Sequence, residues 1–397
     1  MNNTSKRVNR LSESATIAMA RKARELKSKG QDIISLSLGE PDFNTPNFIK
    51  DAAKKGIDQN YSKYMPVNGY LDLREAISKK FSRDNDINYT ADQIVVSTGA
   101  KQSIANVVLS CVNPGDEVIV PAPFWVSYEE IIKMAEGTPV FIETSIENDF
   151  KITPSQLKNA ITDKTKMMIY SSPCNPSGSV YSKDELRSLA DILVNYPLIT
   201  VVSDEIYEHI NFTSKYFSMG AFSDMYNQVV TVNGVSKSFA MTGWRLGYIG
   251  APIWLAKACT KIQGQFTSGT SGISQRAALA AISADPIVIN DMKTAFLKRR
   301  DFVLTELSKI KGIKINKPQG AFYVFPDISS FFNKSYKDYT IKNADDLTMY
   351  ILESAKVALV TGNAFGSPNC VRISYASSIE SLQIAVRRIA DSLSRLQ

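Results

Sequence analysis

The 397-residue chain contains a single histidine, His209. That scarcity argues against a metal centre built on several imidazoles, and any serine–histidine nucleophile would have to use this one ring. In "DEIYEHINF" no serine or cysteine stands at a suggestive spacing, so His209 reads as structural or solvent-facing, and no metal is expected. Cysteine is also sparse. Cys111, Cys174, Cys259 and Cys370 form no CxxC pair and no framework spacing, the usage of reduced thiols, which makes the cytoplasm the expected compartment. No apolar run reaches the roughly 18 residues of a membrane span, and the first thirty residues lack the apolar core of a secretory signal. A membrane partner is therefore not expected.

Lys and Arg number 46 against 39 Asp and Glu, a net charge of +7. Residues 1–31 hold eight Lys/Arg and two acids, so most of the excess lies in this one segment. It reads as the solvated face of a helix over 16–29 and not as a nucleic-acid site. With imidazole, thiolate and metal chemistry set aside, any reaction must run on lysine, aspartate, tyrosine and arginine.

Short β-rich runs alternate with helical stretches through the middle of the chain: "QIVVS" 93–97, "DEVIVP" 116–121, "TPVFIET" 138–144, "TKMMIYS" 165–171, "ITVVSD" 199–204, "QVVTVNG" 228–234 and "RLGYIG" 245–250. This pattern predicts an α/β domain with a largely parallel sheet covered on both faces. Helices are expected over 100–112, 125–136 and 182–195, the last opened by the capping box Ser182-Lys-Asp-Glu185. Beyond about residue 252 the texture changes to long helical segments, such as 291–310. Two short strands follow, 321–326 and 370–376, and then an amphipathic helix over 378–396, which predicts a smaller α+β domain.

In an open parallel sheet, ligands bind outside the carboxyl ends of the strands. The residues just past five of these runs are Gly99 and Lys101, Trp125, Asn175, Asp204 and Tyr207, and Ser236 and Lys237. Gly99 precedes a helix whose first amides, those of Ala100 and Lys101, are free to bind an anion such as phosphate. Ser236 and Arg245 can add a hydroxyl and a permanent bidentate charge. A buried Asp204 suits a protonated ring nitrogen, and Trp125 offers a flat face. Each residue alone has an ordinary explanation as turn, core or surface. Their joint placement on one edge describes a pocket for a phosphorylated aromatic ring. Gly243 and Gly247 are expected to let the backbone turn tightly around it.

The motifs "SLGEPDFNTP" 37–46, "YMPVNGYLDLREAI" 64–77, "GAKQ" 99–102, "PAPFWVSY" 121–128, "SSPCNPSG" 171–178, "SDEIYEH" 203–209, "SKSFAMTGWRLGY" 236–248 and "VRISYA" 371–376 carry a family resemblance. From about residue 8 onward the chain resembles the fold-type I, pyridoxal-phosphate-dependent aminotransferases, and among them the bacterial and plastid aspartate aminotransferases. The resemblance implies a large domain over 46–289 with a seven-stranded, mostly parallel sheet. It further implies a small domain from 16–45 and 290–397, and an N-terminal arm over 1–15.

It also implies pyridoxal 5'-phosphate as cofactor, with Lys237 forming the internal aldimine and then shuttling a proton. Asp204 would hold the pyridine nitrogen protonated, and Tyr207 and Asn175 would bond the ring's phenolic oxygen. Gly99, Ala100, Lys101, Ser236 and Arg245 would hold the phosphate, with Tyr64 reaching in from the second subunit of a homodimer. Arg372 would grip the substrate α-carboxylate with Asn175 and Gly39, beside Trp125. Lys101, helped by Ser14 and Thr16, would meet a distal carboxylate, making aspartate and glutamate with their 2-oxo acids the first-choice substrates. The same threonine and lysine, Thr16 and Lys101, occur in relatives that transaminate prephenate to arogenate, so a bifunctional aspartate/prephenate enzyme is the alternative, with broader specificity a further one. By residue type alone, Ser14 and Thr16 could equally be helix caps.

Overall fold

The computed structural model describes residues 3–397. The seven runs read from the sequence form one sheet: β1 (Ile94–Ser97), β2 (Glu117–Pro121), β3 (Thr138–Ile142), β4 (Thr165–Ser171), β5 (Thr200–Asp204), β6 (Val229–Gly234) and β7 (Gly247–Gly250). Their order is β1-β7-β6-β5-β4-β2-β3. Only β7 runs antiparallel to its neighbours. The pairs β2–β3, β2–β4, β4–β5 and β5–β6 are parallel.

Side-chain alternation explains why these runs are apolar throughout. Val118 and Val120 of β2 enter one buried cluster and Ile119 the opposite one. Met167 and Ile169 are divided in the same way from Met168 and Tyr170, and Val202 from Val201. A sheet covered on both faces needs an apolar residue at every position. The covering helices bury one stripe each. The helix Lys183–Leu193 turns Leu186, Leu189, Ala190 and Leu193 inward at i, i+3, i+4 and i+7. Its capping box forms as read: the Glu185 N–H donates to Ser182 Oγ at 3.2 Å, and the Ser182 N–H donates to Glu185 Oε2 at 2.7 Å.

Helix α1 (Ala15–Ser28) precedes the large sheet in the chain, as does α2 (Leu71–Asn85). Helix α3 (Ala100–Cys111) starts immediately past β1 and buries Ile104, Val107, Val108 and Cys111. At Gly247 the backbone of β7 comes so near the start of α3 that an added Cβ would strike the Ala100 amide and the Gly99 carbonyl. Close approach, then, and not a tight turn, is what requires glycine there. Around Gly243 the position of a Cβ is open space.

A second, antiparallel sheet is built from β8 (Tyr323–Val324), β9 (Val360–Thr361) and β10 (Val371–Ser374) in the order β9-β10-β8. The strand β9 and the parallel pairing of Ile34–Ser35 with Val357–Ala358 have no counterpart in the sequence reading. Two-residue strands are too short to display a period. Among the described residues, no helix is long and apolar enough to cross a membrane.

Leu189 is fully packed between its helix and the sheet. Leu189→Ala should cost about 2–5 kcal/mol of unfolding free energy, against about 1 kcal/mol for Ser182→Ala. Denaturant titration of both variants checks that ranking.

Candidate active site

Past the carboxyl ends of β1, β2, β4, β5 and β6 lies a cavity of about 270 Å³. Ser14, Thr16, Gly39, Ala100, Lys101, Trp125, Asn175, Asp204, Tyr207, Ser236, Lys237, Arg245 and Arg372 all line it. Of the residues singled out in the sequence, Gly99 stands just behind the wall and Tyr64 lies outside. Tyr64 is 99% exposed, so nothing within this one chain covers it.

One end of the cavity is built for an anion. The first helical hydrogen bonds of α3 run from the Gln102 and Ser103 amides to Gly99 O, which leaves the Ala100 and Lys101 amides ahead of the ladder. Gly99 sits at φ +87°, and a Cβ there would overlap the Arg245 guanidinium. The missing side chain is therefore what lets Arg245 lie over the helix start. Arg245 donates from Nη1 to Thr242 O at 2.9 Å and has no carboxylate partner among the described residues, so charge remains for a ligand. Ser236 borders the same end.

Asp204 occupies the other end as the last residue of β5, 5% exposed. Burial pushes its carboxyl up to about 6, although Tyr128 donates a hydrogen bond to Oδ2 at 2.7 Å and the Ile206 amide reaches Oδ1 at 3.3 Å. A protonated ring nitrogen would favour the ionised form, as any adjacent cation does. Trp125 lies edge-on to Tyr128, with ring centroids 5.5 Å apart.

Lys237 reaches in between. Its Nζ donates to Gly39 O at 2.5 Å and lies 5.7 Å from the centre of the Tyr207 ring. Burial, and then the positive charges of Arg372 and Arg245, lower its amine to about 8. A lysine so placed is neutral in a useful fraction of molecules near pH 8 and can act as nucleophile or base.

Arg372 is almost fully buried, at 1% exposed. Its Nη1 donates to Asn175 Oδ1 at 2.9 Å and its Nη2 to Ser37 O at 2.6 Å, while Nε has no partner. The guanidinium is held between the rings of Tyr323 at 4.5 Å and Phe365 at 5.0 Å. No carboxylate neutralises it among the described residues, an arrangement that is costly unless an anion binds there. Because Asn175 commits its oxygen to Arg372, it presents its NH₂ to the cavity. Tyr207 Oη lies 2.7 Å from Tyr323 Oη, so one of the two hydroxyl protons remains for a ligand.

At the mouth, Lys101 Nζ lies 5.1 Å above the Trp125 ring. Ser14 heads helix α1 but makes no side-chain capping bond, which removes the capping explanation for it. Beside it Ile17, 52% exposed, adds an apolar surface. Sequence reasoning passed over Ile17, Tyr128 and Tyr323. Tyr128 had a signal, one helical turn past Trp125, but its partner Asp204 is 76 residues away and nothing local links them. The uncommitted amides and guanidinium, the buried carboxylate and the lysine in one cavity are groups that fit a phosphorylated pyridine carrying a carbonyl.

The family model for class I and II aminotransferases matches residues 31–389. A bifunctional aspartate aminotransferase and glutamate/aspartate-prephenate aminotransferase of Petunia hybrida is 46% identical over 394 residues, covering 98% of this chain and 82% of that one. An aspartate/prephenate aminotransferase of Nitrosomonas europaea is 45% identical, covering 98% and 99%. Among solved structures, an aspartate aminotransferase from Rhizobium meliloti superposes with a TM-score of 0.97 at 38% identity over the whole of both chains. One from Thermus thermophilus with maleate gives 0.93 at 39% identity, covering 99% of this chain and 100% of that one.

Removing the Tyr128 hydroxyl deletes a hydrogen bond to the charged form of Asp204. Tyr128→Phe should therefore raise that carboxyl further, by roughly one pKa unit, about 1.4 kcal/mol. Carbon-13 NMR titration of the Asp204 side chain checks it; an unchanged or lower midpoint would show that the bond does not stabilise the carboxylate.

Proposed function

The chain belongs to the class I and II aminotransferases, and on that premise we propose that it uses pyridoxal 5'-phosphate to exchange amino groups between aspartate or glutamate and their 2-oxo acids. The observation that carries the substrate reading is the pair of cations with no carboxylate partner among the described residues: Arg372, buried with Nε unpartnered, and Lys101 at the mouth. Two such charges lining one cavity suit a substrate with two carboxylates.

When bound, the cofactor supplies a carbonyl that accepts the amine and a ring that accepts electrons. Ser236, Arg245 and the amides of Ala100 and Lys101 would hold its phosphate at the start of α3. Asp204 would keep a proton on the ring nitrogen. Tyr207 and Asn175 would donate to the ring oxygen, and Trp125 would offer it a flat face. Arg372 orients the α-carboxylate of the amino acid, so that the Cα–H points at Lys237. Lys237 would take that proton and hold it for return, as the general base and acid of the site. Its amine, lowered to about 8, is suited to both giving and taking it. Donor and acceptor acids bind in turn, a ping-pong sequence.

A homodimer follows from the same reading. Tyr64 is almost wholly exposed, and Ile57, Leu71 and Phe266 are large apolar residues more than half exposed. A second subunit covering them, with Tyr64 reaching its phosphate site, explains all four. The pairing of Ile34–Ser35 with Val357–Ala358 supports counting 16–45 with 290–397 as a small domain, beside a large domain at 46–289 and an arm at 1–15.

Ile17 favours a second substrate. Aspartate leaves that apolar surface uncovered, whereas prephenate carries a second carboxylate on a six-membered ring able to cover it. The chain then also transaminates prephenate to arogenate; its petunia and Nitrosomonas relatives are prephenate aminotransferases by name.

Lys237→Ala should lose the cofactor's visible absorbance on gel filtration together with all turnover; a variant retaining both would overturn the assignment. Lys101→Ala should lower kcat/KM for dicarboxylic acids about 10- to 100-fold, the range of a lost charged hydrogen bond, and leave neutral amino acids nearly unchanged. Equal losses for both classes would assign Lys101 to the phosphate. Single-turnover reactions with aspartate, glutamate and arogenate rank the two substrate readings.

A further inference from the structure

Behind Asp204, on the side away from the cavity, the segment 205–209 enters a buried polar network that the reaction does not use. Lys80 and Asn85 of α2 meet Glu205 and Glu208 there. Lys80 forms an ion pair with Glu208 and donates to Asn85 Oδ1 at 2.6 Å. Asp84 is paired with Arg83 and lies 3.2 Å from His209 Nε2. The convergence of Asp84, Glu208 and His209 is thus already neutralised by Lys80 and Arg83, and reads as a charge network and not a metal site. Glu205 alone has no cation of its own.

Its hydrogen bonds say how it is tolerated. Glu205 Oε1 accepts from Ser218 Oγ at 2.6 Å and lies 2.8 Å from Ser203 Oγ. Asn85 Nδ2 approaches Oε2 at 3.3 Å. The Tyr216 phenol also lies near Glu205, yet its single proton goes to Ser172 O at 2.8 Å. It therefore donates nothing to Glu205, and its oxygen suits a protonated carboxyl better than an ionised one.

We propose that Glu205 is a neutral carboxylic acid at the centre of this network and a positioning residue for the cofactor site, tying the strand end that carries Asp204 to the loop that carries Asn175. The tie to the loop runs through Tyr216 to Ser172, three residues before Asn175, and the Ser172 amide in turn donates to Asp204 O at 3.2 Å. The groups facing Glu205 are Lys80 and Glu208 and the phenols of Tyr89, Tyr170, Tyr216 and Tyr248. Burial holds all four phenols above their ordinary range. Burial, and then the charge of Glu208, push Glu205 up to about 8. The roles of Asp204 and Asn175 rest on the function proposed above, but the state of Glu205 does not.

The sign of the pH effect follows. A carboxyl whose folded value lies above its unfolded one adds stability below the unfolded value, near 4.5, and loses it as pH rises toward about 8. Glu205→Gln is a neutral mimic: its carbonyl can accept from the serines and its NH₂ can donate to Tyr216. In the cofactor-free protein the gap in Tm between Glu205→Gln and wild type should widen from pH 5 to pH 8 and then level off. A gap independent of pH would overturn the proposal.

Should that variant not fold, infrared spectroscopy of the wild type decides the same point. A buried carboxylic C=O band should be present at pH 7 and vanish through about pH 8; its absence at pH 7 refutes a neutral Glu205. For the positioning role, Glu205→Gln should keep pyridoxal phosphate affinity within about twofold. Glu205→Asp, one methylene too short to span Ser218 and Tyr216, should weaken it about tenfold, as for a lost buried hydrogen bond. Equal affinities for both variants would remove the positioning role, while failure of the wild type to bind the cofactor would sink the functional reading and leave the Tm and infrared results standing.

Discussion

Asp204 ends the central strand of the seven with a carboxylate that burial by itself would protonate, and much of the surrounding architecture manages that one charge. The sheet brings it to the shared edge, Tyr128 bonds its oxygen from the helix after Trp125, and the Ile206 amide turns back on it. On the far side the next residue, Glu205, is buried with no cation to spare. Two ionised carboxylates in succession at a buried strand end would repel strongly in so low a dielectric. Keeping one of them protonated leaves the negative charge on the side where a ring nitrogen would sit.

The cations obey the same constraint. Lys237, Arg245 and Arg372 converge on one cavity and would be unfavourable company for one another without anions. Each is held in place by neutral groups: Gly39 O for Lys237, Thr242 O for Arg245, and Ser37 O and Asn175 Oδ1 for Arg372. Backbone and amide oxygens orient a cation without cancelling its charge, so the full charge remains available to a phosphate or a carboxylate. Repulsion among them also lowers the Lys237 amine toward the pH at which it can react.

The seven strands were legible because a doubly covered sheet writes itself as continuous apolar runs, and the residues that follow each run are local to it. Asp204, Trp125 and Lys237 are therefore placed on one edge by the sequence alone. Tyr323 is not, since its contacts reach Tyr207, 116 residues earlier in the chain, and Arg372 on the adjacent strand of the small sheet, and leave no spacing to read. Glu205 was hidden for another reason: beside Asp204 it reads as a second acid of a helix start. Its raised carboxyl depends on burial and on the charge of Glu208, which other segments deliver once they pack over the strand end.

By itself the sequence determined the alternation of strands and helices, the sheet edge at which chemistry-bearing residues gather, and the kinds of group available there, because these depend on local period and on residue type. Only the tertiary structure decided which charges are paired and which are left for ligands. It set Arg372 between two aromatic rings with its Nε unpartnered, gave Lys80 to Glu208 and not to Glu205, and laid Arg245 over Gly99. Ionisation and recognition depend on desolvation and on neighbours within a few ångströms, and the chain supplies those neighbours only after distant segments have packed together.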